Sequence, residues 1–283
     1  MHERDIGFLE DKLDPGPPAQ ENPAYILGLV PYEETTTYKQ GTKHAPQAIV
    51  DASGHMEVWD ETLEIDASVH GIKTVRAEID DLVSITRFAN RLRKDHPDKL
   101  LGFVGGEHSI TPALVEGCCS GEFGVVWIDA HADLRESYIG RPDNHACAGY
   151  NTAPMAPIVQ IGVRTLAEEE AHYLKNTDRV RCFRNWAEEA KQAVLELPTN
   201  VYLTVDADGF APEVVRAVGT PEPGGLYWDE VIDIVATLFR EKKVTAFDTV
   251  ELCPVEQDVA SSFIIAKLIY KIISYHAYHN LRP

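Results

Sequence analysis

Six side chains of metal-ligand type fall at three places in this chain. Asp129, His131 and Asp133 alternate within WIDAHADLR, Asp206 and Asp208 alternate within DAD, and His108 closes GGEH. Alternate residues of an extended segment project to one side, so the triplet leaves the chain as a group, and so does the pair. Four carboxylates and two imidazoles are too many for one tetrahedral zinc, which takes four ligands and often thiolate. An oxygen-rich donor set suits harder divalent ions such as Mn²⁺. If two of the carboxylates bridge, six residues can hold two ions about 3.5–4 Å apart, and a water between them loses a proton near neutral pH. Taken singly, each piece has a plainer explanation: a histidine after a glycine turn is usually a loop residue, and a D-x-D pair commonly caps a turn. Their joint occurrence points to a metal centre.

The elements needed to position these groups are legible. Apolar runs at Ala24–Val30, His70–Val75, Leu100–Val104, Gly124–Ile128, Ile158–Val163, Val180–Phe183, Val201–Val205 and Val244–Val250 read as strands. Between them lie helical patterns at 45–53, 81–96 (capped by Asp80 or Asp81), 109–118, 166–175, 186–197, 227–242 and 259–275. Met56–Ala67 reads as irregular, and the long polar loop after Val30 as a functional candidate. Strands alternating with helices predict an α/β fold, a single domain whose parallel sheet is covered by helices on both faces. Ligands of such sheets sit at the carboxyl edge. His108, the Asp129 triplet, the Asp206 pair and Glu251 all follow predicted strands directly. The other histidines, such as His2, His55 and His276, lack that context and read as surface or packing residues.

The bulk numbers narrow the partners. A formal net charge of −19 over 283 residues argues against nucleic acid and anionic membranes. No apolar run is long enough to span a bilayer, and no signal peptide is evident. Five cysteines in no zinc or disulfide spacing fit a reducing, cytoplasmic setting. Residues 1–23, polar and proline-rich, are expected to form an N-terminal arm over the surface, with 24–283 as the single domain.

GGEHS at 105–109, DAHAD at 129–133, DAD at 206–208 and GTPEPGG at 219–225 resemble the ureohydrolase family of arginases and agmatinases, most closely agmatinases. The resemblance extends over nearly the whole chain, from ILGLVPYEETTTYKQGTKHAPQAI to FDTVELCP. It implies a three-layer α/β/α domain with an eight-stranded parallel sheet, two Mn²⁺ per subunit, and a trimer or hexamer. It further implies that His108, Asp129, Asp133 and Asp206 bind one ion, and Asp129, His131, Asp206 and Asp208 the other. Glu251 matches the glutamate that binds the substrate guanidinium, and a carboxylate suits two-point pairing with that group. His145 in NHACAG matches the proton-shuttling histidine.

The implied reaction releases urea and an amine from a small cationic guanidino substrate. Arginases carry an asparagine where this chain has Arg135, so the resemblance points to agmatine, with putrescine, the start of polyamine biosynthesis, as the amine product. Alternatives are N1-aminopropylagmatine, 4-guanidinobutyrate or arginine as substrate, formiminoglutamate hydrolysis, and a non-catalytic metal-binding protein. Asn144 stands where agmatinases usually have serine, and Ala211 precedes Pro212 where the family usually has Asp-Pro. Together with the 146–157 loop, these departures bear on substrate grip, and Arg135 and Asn144 are the candidate substrate-binding residues beside Glu251.

Overall fold

The short apolar runs, most of them bounded by turn residues or charges, form eight strands: β1 Tyr25–Val30, β2 Ile72–Arg76, β3 Leu100–Gly105, β4 Gly124–Ile128, β5 Ile158–Ile161, β6 Val180–Phe183, β7 Asn200–Asp206 and β8 Lys243–Val250. The computed structural model describes residues 7–10, 12 and 21–281. All eight strands pair in parallel, in the order β2-β1-β3-β8-β7-β4-β5-β6. Every residue of β1, β3, β4 and β5 is buried, as expected of a parallel sheet covered on both sides.

Alternation along the strands divides the core in two. Tyr25, Leu27, Leu29, Val126 and Ile128 face one layer of helices: α1 Ala45–Ser53, α6 Glu188–Leu195, α7 Trp228–Glu241 and α8 Val259–Asn280. Ile26, Val30, Phe103, Val125 and Trp127 face the other: α2 Leu82–Asp95, α3 Ile110–Cys118 and α4 Ala148–Thr152. A further helix, α5 Glu168–Asn176, brings Tyr173 and Leu174 against that second layer. The result is the three-layer α/β/α domain. Asp81, not Asp80, caps α2: its carboxylate accepts the Ser84 amide at 2.7 Å in a capping box.

Several local expectations shift. The stretch read as irregular contains a small antiparallel pair, Trp59–Asp60 with Ile65–Asp66. The 146–157 loop holds α4, and α8 runs five residues past Tyr275 to Asn280. Phe8 and Leu9 of the expected arm are buried in the core, with Leu9 N donating to Ser53 Oγ at 2.8 Å. Residues 1–6, 11 and 13–20 of that arm, His2 among them, lie outside the described residues. Among the described residues no helix is long and apolar enough to cross a membrane.

Candidate functional site

The four strands that deliver the candidate residues are neighbours at the middle of the sheet, in the order β3-β8-β7-β4. Val250 lies opposite Asp206, and Ile128 opposite Val205. The residues leaving these strands therefore emerge at nearly one level on the carboxyl edge, although they come from points up to 143 positions apart in the chain.

His108 is fully buried, and its Nδ1 faces three carboxylate oxygens: Asp206 Oδ2 at 3.0 Å, Asp129 Oδ2 at 3.1 Å and Asp133 Oδ2 at 3.4 Å. Beside this group, His131 Nδ1 lies 3.0 Å from Asp208 Oδ2 and 3.6 Å from Asp129 Oδ1. Asp129 belongs to both clusters, one oxygen turned to each. The structure thus brings all six metal-type side chains into one buried centre, with two overlapping groups that could each hold an ion.

The fit to metal is tested by the hydrogen bonds behind the centre. Thr204 Oγ1 donates to Asp248 Oδ1 at 2.5 Å, so it accepts from His108 Nε2 at 3.0 Å. Tyr202 and Thr111 hold the other Asp248 oxygen at 2.7 and 2.9 Å. This chain places the proton on Nε2 and leaves Nδ1 as a buried atom with no hydrogen-bond partner. A lone pair aimed at three carboxylate oxygens calls for a cation between them.

The titration of the carboxylates agrees. Burial, followed by the charges of Asp129 and other carboxylates, pushes Asp133 and Asp206 well above the usual range. Burial opposes the charge on His131, yet Asp208 and Asp129 raise it to about 12. Too much negative charge is enclosed for the protein groups alone to balance.

Two site residues are held in left-handed backbone: Asp133 at φ 52° and Glu251 at φ 61°. For side chains other than glycine this conformation costs of order 1–3 kcal/mol, and such residues cluster at functional sites. Glu251 is buried, its backbone N donates to Gly106 O at 2.8 Å, and its Oε1 accepts the His108 amide at 2.7 Å. Gly106 also packs against the Tyr32 backbone, where a Cβ would lie 1.9 Å from Tyr32 O, so the turn needs glycine there. His145 Nδ1 is 3.5 Å from Glu251 Oε1. Burial opposes its charge, but the pairing with Glu251 prevails and raises the imidazole above its ordinary value.

A cleft of about 260 Å³ opens onto Asp133, Asp206, Asp208, His131, His145 and Glu251, with Arg135 and Tyr138 in its wall. Arg135 lies 4.6 Å over the Tyr138 ring and donates to Glu169 Oε1 at 2.7 Å. Asn144 is not in the cleft wall. Its side-chain oxygen accepts the Ala146 amide at 3.0 Å, and its nitrogen approaches Thr35 O at 3.5 Å.

Three supporting residues escaped the sequence reading. Glu107, buried between the turn glycines and His108, fastens the 33–37 loop. Glu170, within the predicted 166–175 helix, is buried and accepts the Leu134 and Ala167 amides at 2.8 and 2.6 Å. Arg164 donates to the carbonyls of Asp208, Phe210 and Glu222 at 2.7, 3.2 and 3.0 Å, fixing the turn after β7. A charged residue directly after the Ile158–Val163 run was the available signal for Arg164.

The profile of the arginase family matches residues 23–274. The chain belongs to the arginase family. It is 35% identical to an N(1)-aminopropylagmatine ureohydrolase of Synechocystis over 89% of each chain. It is 33% identical to an agmatinase of Pyrococcus horikoshii, over 89% of this chain and 91% of that one. The crystal structure of the agmatine ureohydrolase of Thermoplasma volcanium superposes with a TM-score of 0.80, at 27% identity and 90% coverage of both chains. This member of the arginase family is an agmatinase-like ureohydrolase, a hydrolase of linear amidine C–N bonds.

Proposed function

We propose that this arginase-family hydrolase releases urea from a guanidinoalkylamine, with agmatine the first assignment and putrescine the second product. The observation that carries the reading is that one cleft opens onto His131, Asp133, Asp206 and Asp208 of the metal-type centre together with Glu251 and His145. His108, Asp129, Asp133 and Asp206 would hold one Mn²⁺, and Asp129, His131, Asp206 and Asp208 the other. Such an ion pair supplies Lewis-acid polarisation and lowers the pKa of water. Glu251 supplies a buried carboxylate that pairs with the planar guanidinium and orients its central carbon toward the centre. His145, held near Glu251 and kept protonated to higher pH by it, gives its proton to the departing amine. Arg135, at the cleft wall, stands where a substrate tail passes, and its positive charge there is neutralised by Glu169.

A second reading, N1-aminopropylagmatine as substrate, is favoured by the Synechocystis relative. The two share the guanidinium end and differ only in the tail. A urea-release screen of the manganese-loaded protein tests both, using agmatine, aminopropylagmatine, arginine, 4-guanidinobutyrate and formiminoglutamate. We expect a guanidinoalkylamine to exceed arginine in kcat/KM by at least tenfold. Preference for arginine or for either acidic substrate would overturn the assignment.

A further inference from the structure

We propose that Glu107 and Thr35 are positioning residues for His145, acting through a hydrogen-bond chain of fixed direction. Glu107 is fully buried and takes no part in the metal-type clusters. Its Oε2 accepts the backbone amides of Glu34 at 2.7 Å and Thr35 at 2.6 Å. Its Oε1 accepts the hydroxyls of Thr35 at 2.7 Å and Ser109 at 2.5 Å. Four donors on two oxygens leave no place for a proton, so the carboxylate acts as acceptor only. The Thr35 hydroxyl must therefore donate to Glu107, and its lone pair is left for the His145 amide, which donates to it at 2.9 Å. The chain runs from His145 N–H to Thr35 O–H to Glu107.

The same loop meets the other side of the imidazole. Thr37 Oγ1 lies 3.5 Å from His145 Nε2, and Nδ1 lies 3.5 Å from Glu251 Oε1. Glu107 thus fixes the segment that touches the histidine at its backbone and at its ring, while the next residue, His108, enters the metal-type centre. A group that transfers protons loses about 100-fold in rate from a misplacement of about 1 Å. The consequence for turnover rests on the reaction proposed above, whereas the chain itself does not.

The test compares manganese-loaded Thr35→Val, Thr35→Ser and Glu107→Gln with the parent. Valine keeps the shape but removes the acceptor for the His145 amide, and serine restores it. Hydrogen–deuterium exchange over residues 33–37 and 143–147 reads the chain without turnover. We expect Thr35→Val to speed exchange at the His145 amide at least tenfold, and Thr35→Ser to stay within about threefold of the parent. In urea release from the best substrate, Thr35→Val should lower kcat by roughly 10–100-fold with KM and manganese content nearly unchanged, and serine should rescue it. Glu107→Gln, an independent variant should valine prevent folding, is expected to speed exchange at Glu34, Thr35 and His145 together. Parental exchange at His145 in both Thr35→Val and Glu107→Gln would overturn the proposal, as would equal losses in serine and valine or losses that track manganese content. If the parent releases no urea from any guanidine, the reaction assignment fails while the exchange measurement still decides the positioning role.

Discussion

Among the described residues, Asp129 stands in both three-residue clusters, His108–Asp129–Asp206 and Asp129–His131–Asp208. Its Oδ2 faces His108 and also accepts Trp127 Nε1 at 2.8 Å, while its Oδ1 faces His131 and accepts the His131 amide at 2.6 Å. Asparagine at this position replaces one oxygen by a donor, which must then oppose the indole N–H or the backbone N–H. Asp129→Asn is therefore expected to abolish metal uptake and urea release together, and full activity with a full metal complement would refute the shared role. Trp127 supports from behind, stacking on His108 with ring centroids 4.4 Å apart. Removing only the indole donor by Trp127→Phe should cost about 10–100-fold in metal affinity, the usual range for groups that orient a ligand. Metal titration by calorimetry on both variants separates the two expectations.

At the scale of elements, α8 carries the buried Lys271 and the half-buried His276, whose consequences differ. Lys271 donates to the fully buried Asp60 at 2.9 Å and to Glu61 at 3.1 Å, tying α8 to the small antiparallel pair. Lys271→Met leaves Asp60 without its cation and should destabilise the fold by about 3–5 kcal/mol, read from urea unfolding midpoints. His276 packs edge-on to Tyr25 and Phe239, and burial, aided by the charge of His70, lowers its pKa to about 4. Its folded pKa lies below the unfolded value of about 6.5, so the fold holds the neutral ring. The associated stability is fully present above pH 6.5 and is lost as pH falls toward 4, by an amount of roughly 3 kcal/mol. His276→Leu should flatten that part of the stability curve, and an unchanged difference between pH 7.5 and pH 4.5 would count against it. These positions also mark where the sequence was hard to read. The interior strands β1, β3, β4 and β5 could be read because both faces are apolar, and the site because its residues follow strand ends. The last turn of α8, beyond the predicted 259–275, could not be read, because His276 suits a surface position as well as packing until Tyr25 and Phe239 are placed against it. Glu107 and the Leu134 contact of Glu170 were hidden for a related reason: a carboxylate that holds backbone amides distant in the chain has no local pattern.

Over the whole molecule, the net charge of −19 and the enclosed carboxylates of the centre act in one direction. A sheet edge that collects Asp129, Asp133, Asp206, Asp208 and Glu251 in one cleft region concentrates negative charge where little water can screen it. In the metal-free protein burial first, and this repulsion after it, push Asp133 and Asp206 upward, so protons offset the enclosed charge. Divalent ions replace those protons, so binding should release protons and should be linked to global stability, since the unfolded chain has no assembled centre. The four strands involved are central in the sheet, and loosening their carboxyl ends propagates to both core layers rather than to an edge. Removal of metal by a chelator is therefore expected to lower the melting temperature, and added Mn²⁺ to raise it with concentration, gaining about 2.7 kcal/mol at 100 times the dissociation constant. Scanning calorimetry of the chelated protein against a manganese series checks this. A melting temperature indifferent to manganese, with Asp129→Asn indistinguishable from the parent in the same series, would show that the carboxylate cluster is balanced without divalent ions.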